Sequence, residues 1–195
     1  MAAFQAALDA GFDGIETDIR LDADGTPILF HDRVHAGRPV ASLTRAALSS
    51  AVGYPVPTLA EALNAFPTTF WNLELKSTAA VEPTIGALRA RAGASTLLLS
   101  SFIHPALVTL SEALTLDGAL LIAHRPLTPP VSRPRGRVNG IVWYCGTTDP
   151  EIIAQSHAAG WKNLIYGFAS RAEQAAWEAE NITALITDFA KSPER

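Results

Sequence analysis

A chain of 195 residues that is 48% hydrophobic and 17% charged, with a mean hydropathy of +0.17, has the apolar content of one packed domain, which excludes intrinsic disorder. Fifteen Lys and Arg against nineteen Asp and Glu give a net charge of −4, and outside Arg133, Arg135 and Arg137 the basic residues are scattered, which argues against a nucleic-acid partner. The single cysteine, Cys145, excludes an internal disulfide and a Cys-rich zinc site; no apolar run approaches the roughly 20 residues of a transmembrane span, and without a visible signal peptide the expected location is cytoplasmic.

In chain order, an Ala-rich helical stretch over residues 2–10 ends at Gly11. Residues 14–19 alternate as a strand, and the Asp24-Gly25 turn joins them to a second strand at 27–31 with no room for a helix, so the pair reads as a hairpin. A helix over 58–65 starts at a Thr58 cap. After it, strands at 70–75, 96–101, 119–124, 140–145, 163–168 and 184–189 alternate with helices at 81–92, 105–114, 150–159 and 169–180, the last two behind Asp149 and Ser170 caps. A Pro/Arg-rich segment from Arg125 to Arg137 reads as a surface loop. Strand–helix alternation over a whole chain implies parallel strands with crossovers, and this many units suggest a (β/α) barrel. Seven parallel strands are expected, one short of a closed barrel.

Barrel strands send alternate residues outward to the helices and inward to the interior. Ile15, Thr17 and Ile19 share one face, Glu16 and Asp18 the other. Leu73 and Leu75 face out, while Asn72, Glu74 and Lys76 face in. Three buried like charges cost several kcal/mol each unless neutralised. Lys76 does this as a salt bridge; a metal ion does it too, and an all-oxygen donor set selects a hard cation, Mg2+ or Ca2+. His31, next to Asp32 at the end of the hairpin's second strand, is expected close to Glu16 and Asp18 and suits acid–base work near neutral pH. His124, at the end of the 119–124 strand, is placed to reach the same pocket. His35, His104 and His157 read as surface or capping residues. A phosphate-cradling glycine loop and a Gly-x-Ser-x-Gly elbow are both missing.

The run Ala3-Phe4-x-x-Ala7-x-x-x-Gly11-x-x-x-Ile15-Glu16-x-Asp18, then Asp24-Gly25-x-Pro27-x-x-x-His31-Asp32, Pro57-Thr58-Leu59, Asn72-Leu73-Glu74-Leu75-Lys76, Ser100-Ser101-Phe102 and Leu185-Ile186-Thr187-Asp188-Phe189 resembles the glycerophosphodiester phosphodiesterase family. The resemblance implies a TIM-type (β/α)8 barrel over residues 1–195, with a shortened insertion around 32–57. It implies hydrolysis of a small-molecule glycerophosphodiester to glycerol 3-phosphate and an alcohol, in lipid and glycerol metabolism. It also implies one divalent cation held by Glu16, Asp18 and Glu74, Lys76 beside the phosphate, and His31 as one of two acid–base histidines.

Three departures from the family qualify this. The family opens with a strand ending His-Arg-Gly, whereas this sequence starts inside the helix that follows it. The first strand and the second histidine are therefore expected to be absent, leaving free edges on the strands at 14–19 and 184–189 and impaired catalysis. The segment from Asp32 to Pro57 is short, and the family's late Trp-Thr-x-Asn reads Tyr166-Gly167-Phe168-Ala169. Two alternatives stay open: a catalytically impaired barrel that binds a phosphorylated ligand or a protein partner, and a phospholipase-type phosphodiesterase. Retention of all three carboxylates, Lys76 and His31 argues against the first, since each is costly to bury without a function.

Overall fold

The computed structural model describes residues 1–90, 96–130, 136–178 and 181–190. Its elements run α1 (Ala2–Asp9), β1 (Gly14–Leu21), β2 (Pro27–Leu29), β3 (Val34–His35), β4 (Arg38–Pro39), α2 (Arg45–Val52), α3 (Leu59–Ala65), β5 (Phe70–Leu75), α4 (Val81–Arg89), β6 (Leu97–Ser101), α5 (His104–Leu114), β7 (Asp117–Ile122), β8 (Val138–Tyr144), α6 (Pro150–Ala158), β9 (Lys162–Tyr166), α7 (Arg171–Trp177) and β10 (Ala184–Ile186). Among the described residues no helix is long and apolar enough to cross a membrane.

One sheet of eight strands holds the order β10-β9-β8-β7-β6-β5-β1-β2. Every pairing is parallel except that of β1 with β2. The alternation seen in the sequence sorts its side chains into two layers. Outward residues such as Trp71, Leu73, Leu99, Ile141, Trp143 and Ile165 pack against helix residues including Ile85, Leu107, Leu110 and Ile152 in the main core. Inward residues Leu98, Ala119, Leu121, Val142 and Leu164 form a separate core inside the sheet, joined by Phe70, Tyr166, Ala184 and Ile186. The helices start on the caps that the sequence offers: Thr58 and Glu61 form a reciprocal capping box, and the Asp149 and Ser170 side chains accept from the amides of Ile152 and Glu173.

The sheet curls until its two ends share a groove of about 760 Å³, lined by Gly14, Ile15 and Glu16 of β1 on one side and Ala184, Leu185 and Ile186 of β10 on the other. Among the described residues no strand occupies this groove. β2 covers only the end of β1, from Ile19 to Leu21, so the free edges fall on the two strands expected to carry them.

Several expected boundaries move. β2 ends at Leu29 rather than at residue 31, because the His31 carbonyl accepts from the Arg20 side chain, at 2.8 Å, in place of a ladder partner. β7 runs from Asp117 to Ile122 and leaves His124 beyond its end; β10 stops at Ile186. The short insertion is built rather than plain: the β3–β4 hairpin and α2 close over a small core of Ile28, Phe30, Val40, Leu43, Leu48 and Val56. The far ends of the helices expected at 81–92 and 169–180, and residues 131–135 of the Pro/Arg-rich segment, lie outside the described residues.

Gly14 starts β1 tightly against β5. A Cβ there would stand 2.5 Å from the Phe70 ring and 2.8 Å from the Phe70 carbonyl oxygen. Gly14→Ala is expected to lower unfolding free energy by about 1–3 kcal/mol, read from the urea midpoint at unchanged slope.

Candidate functional site

β1 and β5 lie side by side in a register that pairs Glu16 with Asn72 and Asp18 with Glu74. Because side chains alternate along each strand, the four share the inward face at one end of the sheet. Lys76 follows β5 in the same phase, its amide donating to the Ile19 carbonyl at 3.2 Å and so extending the ladder. Glu16, Asp18 and Glu74 each bring a carboxylate oxygen within 4.8 Å of the other two. Lys76 Nζ stands 3.0 Å from Asp18 Oδ1 and pairs with Glu74 Oε1.

The charges here do not balance. Asp18 and Glu74 are buried and Glu16 is half-buried facing the groove, with Asp188 adding its field. Burial first, then the charges of Asp18 and Glu74, push the Glu16 carboxyl up to about 8. Burial also raises Glu74, against the pull of Lys76. Burial acts to lower the Lys76 ammonium, but its contacts with Glu74 and Asp18 outweigh this and raise it. A carboxyl that resists ionisation although its partners hold a lysine marks a site short of positive charge.

A hard cation binds oxygen at about 2.0–2.6 Å, so ligands that share one stand no more than roughly 5 Å apart. The three carboxylates meet that condition as they stand, and an all-oxygen set suits Mg2+ or Ca2+. The residues fit a divalent ion.

His31 lies at the same end of the sheet, close enough for its charge to act on Glu74. Its ring is less enclosed than expected: the side chain is 78% exposed, and Nδ1 pairs with Asp32 Oδ1 at 2.9 Å. That bond leaves Nε2 open toward solvent. His104 serves the fold, its Nε2 3.0 Å from the Leu121 carbonyl oxygen.

Sequence reasoning passed over three charged or polar members of the site. Arg20 continues the inward phase of Glu16 and Asp18 and senses both Asp18 and Glu74; the i, i+2, i+4 alternation was the available signal. Ser100 stands opposite Glu74 on β6. Asp188, beyond β10, lines the same groove as Glu16 and acts on it through its charge, a proximity made only by curling the sheet. An aromatic row, Phe102, Tyr166 and Tyr144, flanks the cluster with ring centroids 6.4 and 5.4 Å apart, and Lys76 Nζ lies 5.9 Å from the Phe102 ring centre.

Comparison with known proteins finds relatives in both sequence and fold. The pattern of the glycerophosphoryl diester phosphodiesterase family matches residues 1–85. A Mycobacterium tuberculosis protein named probable glycerophosphodiester phosphodiesterase 2 is 33% identical over 112 residues, which is 52% of this chain and 42% of that protein. The chain thus spans less than half the length of that curated relative. Among solved structures, a glycerophosphodiester phosphodiesterase from Thermotoga maritima superposes with a TM-score of 0.80 at 20% identity, covering 96% of this chain and 86% of that one. One from Parabacteroides distasonis gives 0.82 at 18%, covering 97% and 85%. An Oleispira antarctica phosphodiesterase in complex with the product sn-glycerol-3-phosphate gives 0.77 at 22%, covering 97% and 86%. These neighbours share a TIM-barrel-type fold with this chain.

The raised Glu16 carboxyl gives a pH test. Its folded value, about 8, exceeds the ordinary glutamate value of 4.5, so between the two the folded state holds more protons and stability falls as pH rises. Metal-free protein in chelator is expected to melt at a lower temperature at pH 8 than at pH 5, and Glu16→Gln to flatten the difference. Equal slopes in the two proteins would assign the effect elsewhere.

Proposed function

We propose that the chain is a member of the glycerophosphoryl diester phosphodiesterase family, whose pattern its first 85 residues match, and that it hydrolyses a small-molecule glycerophosphodiester to glycerol 3-phosphate and an alcohol with the help of one divalent cation. The observation that carries this reading is the convergence of Glu16, Asp18 and Glu74 within 4.8 Å beside Lys76. The product complex of the Oleispira antarctica neighbour supports a glycerol phosphate as the substrate's fixed half.

Glu16, Asp18 and Glu74 would hold the cation, Mg2+ or Ca2+. When bound, it polarises the phosphoryl oxygens and offsets the charge that repels a nucleophile. Lys76 is placed between the carboxylates and the aromatic row and sets its ammonium toward the phosphate. Asp32 fixes the His31 ring by accepting from Nδ1–H, which leaves Nε2 free to exchange a proton at the bridging ester oxygen. Phe102, Tyr166 and Tyr144 bound the side on which the alcohol would lie.

The test is turnover of sn-glycero-3-phosphocholine with Mg2+ or Ca2+. Chelation is expected to abolish it, and Glu74→Gln, which keeps the packing but removes a ligand charge, to reproduce chelation at limiting metal. Unchanged turnover in Glu74→Gln contradicts the reading; binding of glycerol 3-phosphate without turnover by the wild type favours a barrel that binds and does not cleave. His31→Ala is expected to lower kcat by about 10²–10⁴-fold.

A further inference from the structure

The register of β1, β5 and β6 lays the inward residues out as a grid. Asp18, Glu74 and Ser100 form its upper row; Glu16, Asn72 and Leu98 form its lower row. Five of the six are polar. Two of these are neutral, Asn72 and Ser100, 3% and 1% exposed. The Oδ1 of Asn72 and the Oγ of Ser100 are both fully buried without a hydrogen-bond partner among the described residues. Buried oxygens are nearly always satisfied, and an orphan in a native interior points to a water or ion at that place. Packing does not explain the pair, because Leu98 in the same grid shows that an apolar residue fits the interior. Asn72 also lines the groove that Glu16 faces, so there is open space beside it.

Resting on the cation-dependent reading above, we propose that Asn72 and Ser100 are positioning residues for the cation, holding water beside Glu16 and Glu74 and so fixing the two carboxylates for metal binding. The neighbourhood supplies what a trapped water needs, two to four polar partners: the Asn72 carboxamide, the Ser100 hydroxyl and the carboxylates next to them. Asn72 is the cross-strand neighbour of Glu16 and lies two residues before Glu74 on the same face, so one side chain serves two ligands. Groups that orient metal ligands from behind typically matter by 10–100-fold in metal affinity.

The experiment measures Mg2+ and Ca2+ binding by calorimetry, together with the melting temperature in chelator, for wild type, Asn72→Leu, Asn72→Asp and Ser100→Ala. A positioning role predicts that Asn72→Leu binds about 10–100-fold more weakly while its metal-free melting temperature is unchanged or raised, since an apolar group replaces an unsatisfied one. Asn72→Asp, which retains an acceptor oxygen and adds a negative charge, is expected to bind at least as tightly as wild type; weaker binding by it counts against the inference. Ser100→Ala only deletes a hydroxyl and keeps the test alive if Asn72→Leu fails to fold; it too is expected to bind more weakly. A purely structural role moves the readouts the other way, with lower metal-free stability and unchanged affinity, and that result overturns the inference alone. Absence of binding by the wild type overturns the cation-dependent reading with it.

Discussion

Lys76 between Asp18 and Glu74 is the contact on which the arrangement of this molecule turns. Buried carboxylates on adjacent strands repel one another, and a register that places Asp18 against Glu74 is tolerable only with a cation at the same level. Lys76 supplies one charge for two carboxylates, and Glu16 is left over. Burial first, and then the charges of its neighbours, push its carboxyl up to about 8. Local backbone and local charge are therefore coupled: the β1–β5 ladder continues through the Lys76 amide to bring the ammonium level with its partners, and the ammonium in turn makes that ladder electrostatically affordable.

The interior divides along the same line. From β6 to β9 the inward core residues Leu98, Ala119, Leu121, Val142 and Leu164 make an apolar filling, with Ser100 a buried polar member at the border with β5. From β1 to β5 they are charged or amide-bearing. The apolar side holds the sheet's curvature, and the polar side, which contributes nothing to hydrophobic burial, depends on that scaffold to hold like charges within 4.8 Å of one another. The aromatic row of Phe102, Tyr166 and Tyr144 sits where the two sides meet, its rings against apolar neighbours and Lys76 within reach of Phe102.

Much of this was legible in the chain because period-2 alternation survives burial. Glu16 and Asp18, then Asn72, Glu74 and Lys76, announce an inward polar face in any strand that is otherwise Ile and Leu, and caps such as Thr58 and Asp149 state their helices outright. What was not legible depends on tertiary contacts. Asp188 approaches Glu16 only because the sheet curls its last strand toward its first. His31 drops out of β2 because Arg20, eleven residues earlier, takes its carbonyl. The hairpin and helix inside the insertion rest on a six-residue core whose members, from Ile28 to Val56, show no periodic pattern in sequence.

Order in β1 is graded toward the chemistry. At its start, Gly14 and Ile15 pair with β5 alone and face an open groove. At its end, Ile19 is paired on both sides, with Leu75 of β5 and Leu29 of β2, and the Phe30 amide donates to the Asp18 carbonyl at 3.1 Å. Strand edges without partners exchange their hydrogen bonds with water and open at low free energy, whereas doubly paired segments open only with the core. Asp18 is therefore fixed on the rigid part of the strand, directly beside Glu74. Glu16 sits nearer the loose part and is the carboxylate left most open to the groove. Of the three carboxylates, two are held by the fold and Lys76. The third has its cross-strand neighbour Asn72 beside it and keeps the greatest freedom to change its charge.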